Sequence, residues 1–207
     1  MKQLTVSAKL TVLIVCAMLF GATMIALSIR HKAVQVTEGE DWGKDKKIEK
    51  TFSVQPDGKL IIDSDEGNIS IVGTDNSEVS VRVLARGSDE HLRKFDVSLD
   101  QEGNTIRVIG KVARRHFSLW SNFSLDVDFE VRVPKKFNLD LHTAGGNIIV
   151  DNVKGKVDGE TSGGDLELSG LEGNVRLNTS GGNVTLHEAT GDFFLETSGG
   201  NVNVRKN

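Results

Sequence analysis

Five histidines stand at positions 31, 91, 116, 142 and 187. None falls in a metal-ligand spacing such as His-Glu-x-x-His, so they read as solvated or hydrogen-bonded surface side chains. The chain contains no Gly-x-Ser-x-Gly nucleophile turn and no phosphate-cradling Walker loop. Its Gly-Gly-Asn and Gly-Gly-Asp steps invite comparison with calcium-binding nonapeptide rolls, which need a further Gly and an Asp after the pair. In Gly163-Gly164-Asp165-Leu166-Glu167-Leu168 a Leu stands where an acid ligand is required, and a hard cation needs several converging oxygens. Asp165 and Glu167 project outward from one strand. β-Helical lyases and hydrolases instead need acids and basic groups converging in a cleft. The outward positions here are mostly Asn, Thr, Ser and Glu, without a repeated acid–base set. The expectation is therefore no catalytic residue, no metal and no cofactor.

Two features invite binding rather than catalysis. Residues 114–123 carry Arg114, Arg115, His116, Phe117, Trp120 and Phe123 where a tight turn would suffice. Arg114, Arg115, Phe117, Trp120 and Phe123 form a candidate interaction loop that enters a membrane interface or grips a partner, since Trp and Arg are typical anchors for both. The competing reading is that the three aromatics cover an open end of a β core. The second feature is a ladder of Thr161, Thr179 and Thr197 with Ser162, Ser180 and Ser198. It either binds a glycan or another repetitive surface, or satisfies the hydrogen bonds of its own corners.

A repeat must position these groups. Units beginning at Thr143, Thr161, Thr179 and Thr197 start 18 residues apart, and a half-period of nine lies beneath them. Gly146, Gly155, Gly164, Gly173, Gly182, Gly191 and Gly200 occupy successive steps of nine. After each Gly come a polar residue, an apolar one, any residue, and usually another apolar one. This is period-two alternation with one buried face. The Gly is expected to take a left-handed or restricted backbone conformation at a corner, and the adjacent Asn or Asp to bond the local backbone. Nine residues make a strand and a corner, and two halves make one coil. Thr-Ser-Gly-Gly corners line one edge, and Val153, Leu171 and Ala189 fill the second corner type from inside. A hexapeptide left-handed helix also has an 18-residue coil, but it needs an apolar residue six after Ile148, where Lys154 stands. Stacked coils bury what one coil alone cannot, each fully buried Leu or Val contributing about 1.5–3 kcal/mol.

Earlier residues repeat the motif loosely. Gly58–Ile62 and Gly67–Ile71 are nine apart, and alternation predicts further strands over 78–85, 105–109, 124–133 and 137–141. A short helix is expected over 88–95, capped by Ser88 or Asp89, with Leu92 and Phe95 on one face. The fold class is all-β: an elongated β-solenoid with two strands per 18-residue coil, irregular over 51–142 and regular over 143–207.

Residues 10–29 carry no charge. At about 1.5 Å per residue they span about 30 Å as a helix, one hydrocarbon thickness. A signal peptide's apolar region is usually only about 7–15 residues, so an uncleaved transmembrane signal anchor is expected, preceded by a short tail over 1–9. Lys2 and Lys9 before the span favour a cytoplasmic N-terminus and a soluble domain outside the cytoplasm. Cys16 lies mid-span and reads as a small apolar residue. As the only Cys, it excludes an intramolecular disulfide framework. Residues 30–50 combine six Lys/Arg with five Asp/Glu and read as a charged tether. The net charge of −4 over 207 residues excludes the basic stripe of a nucleic-acid binder. The last strand ends at Val204-Arg205-Lys206-Asn207. Its edge is guarded by Arg205 and Lys206, or it self-associates with another chain.

Three features carry a resemblance: Gly-Asn-Ile-Ser-Ile at 67–71, Val-Arg-Val-Pro at 131–134, and the Thr-Ser-Gly-Gly-Asn-Val units to 202. Over roughly residues 51–207 the chain resembles the bacterial putative-adhesin family of β-strand-repeat proteins, whose function is largely unassigned. The resemblance implies an envelope-associated, non-enzymatic protein and carries over no catalytic residues. Some members resemble this chain in having an N-terminal membrane segment and occur in envelope-stress settings. The leading functional reading is a membrane-anchored adhesin-like scaffold with a protein or surface-glycan partner. A second is an accessory or sensor component of an envelope-stress system, and a carbohydrate-active enzyme ranks last.

Overall fold

A computed structural model describes residues 45–113 and 125–205. The expected tail, the apolar span 10–29, residues 30–44 of the expected tether and the loop 114–123 lie outside the described residues. Among the described residues no helix is long and apolar enough to cross a membrane.

Period-two alternation produces the strands. In Phe137–Thr143 the side chains of Phe137, Leu139, Leu141 and Thr143 are buried, while Asn138, Asp140 and His142 face outward. The order is β1 (Asp45–Ser53), β2 (Gly58–Ser64), β3 (Asn68–Thr74), β4 (Glu78–Gly87), α1 (Asp89–Leu92), β5 (Phe95–Glu102), β6 (Thr105–Val112), β7 (Leu125–Pro134) and β8 (Phe137–Thr143). It continues with β9 (Ile148–Asp151), β10 (Val157–Thr161), β11 (Leu166–Ser169), β12 (Val175–Thr179), β13 (Val184–His187), β14 (Phe193–Thr197) and β15 (Val202–Arg205). One sheet runs β1-β4-β7-β3-β9-β11-β13-β15 and the other β14-β12-β10-β8-β2-β6-β5. The inward residues of both form one continuous core.

From β8 onward, parallel strands pair 18 residues apart, as Leu139 with Val157, Val157 with Val175 and Val175 with Phe193. The stack also runs through the region expected to be irregular. β8 pairs with β2, Leu139 opposite Leu60, and β9 pairs with β3, Ile148 opposite Ile69. Thus β2–β3 is a coil of the same stack, and the segment between β3 and β8 is an excursion that leaves and returns in register. One apolar column consequently joins Phe129, Ile69, Ile148, Leu166, Val184 and Val202 across the first sheet. The expected division at residue 142 falls inside β8 and marks no structural boundary.

Two further expectations are corrected. The tether ends earlier than residue 50, because Asp45 opens β1, which lies antiparallel on β4. The helix over 88–95 contracts to α1, with the Ser88 Oγ accepting from the His91 N–H at 3.3 Å. Phe95 instead opens β5 and is fully buried there. Strand β1 tolerates lysine on its inner face because the opposite sheet offers acceptors. Lys46 and Lys50 donate to the carbonyl oxygens of Phe95 and Leu99 on the edge strand β5, at 3.1 and 2.9 Å. Two edges at one end of the stack thereby close each other.

Candidate functional site

The corner threonines are structural. Ser64, Thr143, Thr161, Thr179 and Thr197 are opposite one another on successive strands, and Thr161 and Thr179 are almost fully buried. The hydroxyls of Thr143, Thr161, Thr179 and Thr197 donate to the carbonyl oxygens of Gly67, Gly146, Gly164 and Gly182, at 2.7–2.9 Å. Each bond crosses to the preceding coil. The Thr161, Thr179 and Thr197 oxygens also accept from the N–H of Gly164, Gly182 and Gly200 in their own corners. The hydroxyl is therefore committed as donor and acceptor. Of the Thr-Ser ladder considered for glycan, only Ser162, Ser180 and Ser198 face solvent.

The asparagines beside the glycines link coils rather than stabilising their own turn. The Asn68 Oδ1 accepts from the N–H of Asn147, that of Asn147 from Asp165, that of Asp165 from Asn183, and that of Asn183 from Asn201. Asp165, considered as a cation ligand, is one step of this ladder.

The seven corner glycines divide into two kinds. A Cβ built on Gly182 would fall on the carbonyl oxygen of Gly164, and Gly146, Gly164 and Gly200 meet the previous coil in the same way. Close approach, not a left-handed conformation, requires glycine there. At the other corner Gly155, Gly173 and Gly191 do take positive φ, 138° at Gly173. Asn152, Gly170 and Glu188, also 18 apart, form a second positive-φ column, whose only signal in the sequence is an Asn and a Gly at equivalent positions. Val153 and Leu171 are buried inside this corner, and Ala189 packs partly buried against the core.

Ionisable groups cluster on the outer face of the second sheet. The Lys59 Nζ lies 2.6 Å from the Asp140 carboxylate. His142 lies 2.7 Å from Asp140 and 3.4 Å from Glu160. Partial burial opposes ionisation of Asp140, but hydrogen bonds from Lys59 and His142 outweigh it and hold the carboxyl below its ordinary value. On the first sheet Arg82 joins Glu49 and Glu130, and Arg86 joins Asp126 and Asp128. Both sets lie across flat strand faces and are ion-paired within the chain. Among the described residues no group of three or more His, Cys, Asp and Glu is arranged to hold a metal ion. Arg114, Arg115, Phe117, Trp120 and Phe123 lie outside the described residues. Their flanking strands β6 and β7 pair with β2 and β3.

The family model described as Toastrack DUF4097 matches residues 58–207. No curated protein matches the chain. Among solved structures, a putative cell adhesion protein from Clostridium sporogenes superposes with a TM-score of 0.53 at 12% identity, covering 78% of this chain and 100% of its own. A putative adhesin from Bacteroides fragilis gives 0.29 at 12% identity, with coverages of 77% and 97%. Another from Parabacteroides merdae gives 0.27 at 11% identity, with coverages of 79% and 97%. The first supports the fold; the other two are too distant in shape to bear on it.

Proposed function

The chain belongs to the Toastrack DUF4097 family, and on that premise we propose a non-enzymatic, membrane-anchored cell-envelope protein whose β-solenoid is an adhesin-like interaction scaffold. The observation that carries this reading is the consumption of the corner hydroxyls and amides by coil-to-coil bonds. A polypeptide that commits its repeated polar groups in this way builds a stiff frame, and leaves recognition to what the frame displays. The uncharged stretch 10–29 supports single-pass anchoring, and Lys2 and Lys9 support a domain outside the cytoplasm. The name of the Clostridium sporogenes neighbour, a putative cell adhesion protein, accords with an envelope-facing domain.

The candidate for recognition is the segment between β6 and β7. Twelve residues, 113–124, join these strands, whereas residues 198–201 suffice between β14 and β15. Arg114, Arg115, Phe117, Trp120 and Phe123 supply the aromatic and guanidinium chemistry of a contact surface.

Membrane fractionation with reporters fused to the C-terminus tests the anchor and its sidedness. The expected result is an integral membrane protein with its C-terminus outside the cytoplasm; a freely soluble chain, or a cytoplasmic C-terminus, overturns it. Affinity capture from detergent-solubilised membranes then reads the partner class. Binding to a glycan or cell surface that Trp120→Ala abolishes without lowering the melting temperature supports the scaffold. A stoichiometric membrane-protein partner would instead assign an accessory or sensor role, and glycan cleavage would refute the non-enzymatic reading.

A further inference from the structure

Strand β1 is held unevenly along its length. It lies at the edge of its sheet, with β4 as its one strand neighbour. It is also the one strand among the described residues whose inward positions carry charge: they read Lys46, Ile48, Lys50 and Phe52. Phe52 is buried, whereas Lys46, Ile48 and Lys50 are half-buried. The uncharged bonds that fix the strand from outside its ladder gather at its far end. Gln101 Nε2 donates to the Ser53 carbonyl oxygen at 3.0 Å, and the Val54 N–H donates to the Ser77 carbonyl oxygen at 3.3 Å. Asn104 accepts from the Gln55 N–H at 2.8 Å and donates to the Gln55 carbonyl oxygen at 3.0 Å. Over 45–50 the strand has its ladder with β4, the Lys46 and Lys50 bonds to β5, and the exposed Glu49–Arg82 pair at 3.1 Å.

We propose that β1 is a strap hinged at Phe52, whose first half lifts away while the rest of the domain stays folded. Lifting Lys46 and Lys50 returns two ammonium groups to water, and the Phe95 and Leu99 carbonyls then accept from water. These bonds therefore resist opening only weakly, and the exposed Glu49–Arg82 pair adds little. Ile48 is the only aliphatic side chain of this half that packs on the core. An interior strand such as β7 would instead surrender Val127, Phe129, Val131 and Val133, all buried. At Phe52 the cost of opening rises steeply. The ring must leave a buried site, and the bonds that Gln101, Ser77 and Asn104 make to residues 53–55 must break. Opening accordingly runs from Asp45 and stops at Phe52, a local transition separate from global unfolding. The preceding chain joins β1 at Asp45, so a pull on it reaches the loosely held end first. The lifted state bares the edge of β4 and the flanks of Val81 and Val83, which the closed strap covers. The inference is independent of the anchor and of the surface the domain binds.

Native-state hydrogen exchange of the full-length chain in detergent, read by mass spectrometry, tests it. The protected amides of 45–51 are expected to exchange through a local opening, faster than those of 127–133 in β7 and slower than in an unfolded peptide. Ile48→Ala is expected to speed exchange over 45–51 by about tenfold and leave the melting temperature almost unchanged. Phe52→Ala is expected to free the whole of β1 and lower the melting temperature. One common rate for 45–51 and 127–133 would mean that β1 leaves only when the domain unfolds, and overturns the proposal. So does exchange of 45–51 at the rate of an unprotected peptide, which leaves no closed strap. An Ile48→Ala chain whose melting temperature falls as far as that of Phe52→Ala also overturns it, because the two halves of β1 would then be held alike.

Discussion

Thr179 donates its hydroxyl hydrogen to the Gly164 carbonyl oxygen at 2.9 Å, across the boundary between two coils, while accepting from Gly182 within its own corner. One buried oxygen thus satisfies a donor and an acceptor that the tight Gly-Gly corner would otherwise leave without partners. The same arrangement recurs at Thr161 and Thr197.

Thr179→Val keeps the side-chain shape and deletes both bonds. The Gly164 carbonyl and the Gly182 N–H then lose their hydroxyl partner in a buried setting, a loss of about 1–3 kcal/mol of unfolding free energy. Thr197→Val, in the half-buried last coil, is expected to cost less. Thermal or urea unfolding of the purified chain measures both. Equal, negligible losses would show that the hydroxyl column is decorative.

The two glycines of one corner should respond oppositely. Gly182→Ala drives a methyl group into backbone of the preceding coil, a clash that costs about 1–3 kcal/mol and should sit at the upper end because backbone cannot rotate away. Gly181→Ala meets its nearest atom at 3.7 Å, ordinary contact, and is expected to stay within about 0.5 kcal/mol of the parent. Comparing the two melting temperatures isolates close approach from any general need for glycine.

Asp140 supplies a pH signature. Its carboxyl is held below the ordinary value of 3.8 in the folded chain, so the ionised form favours folding. That contribution is complete above the unfolded value and disappears as pH falls through the folded one. Asp140→Asn is expected to lower stability by about 1 kcal/mol or less at neutral pH, because Lys59 is partly solvated and screening weakens the pair. The gap between variant and parent should close below about pH 3.8. A gap that is constant with pH would assign the loss to packing instead.

The repeat from Thr143 onward was legible because every ninth residue is Gly and the alternation after it is local. The same logic found β2, β3 and most of β4, β6, β7 and β8. Strand β1 was hidden because its inner positions read Lys46, Ile48, Lys50 and Phe52, and the carbonyls that make lysine acceptable belong to a strand 49 residues later. Strand β5 was missed although Phe95, Val97 and Leu99 alternate, because Phe95 also fits a helical face with Leu92. Alternation could not reveal that β8 returns to pair with β2, since Leu60 and Leu139 meet only after the long excursion. The candidate loop was legible as chemistry alone, from its clustered arginines and aromatics.

The central claim is that one 18-residue coil is the structural unit of a continuous stack. Removing residues 161–178 joins Glu160 to Thr179 and keeps every corner type in register. Removing 161–169 joins Glu160 to Gly170 and puts the wrong corner at the wrong edge. Circular dichroism with thermal melting should show that the longer deletion retains β structure and a cooperative transition at a lower midpoint, while the shorter one loses cooperativity. A chain that tolerates both deletions equally, or survives only the nine-residue one, would contradict the stack.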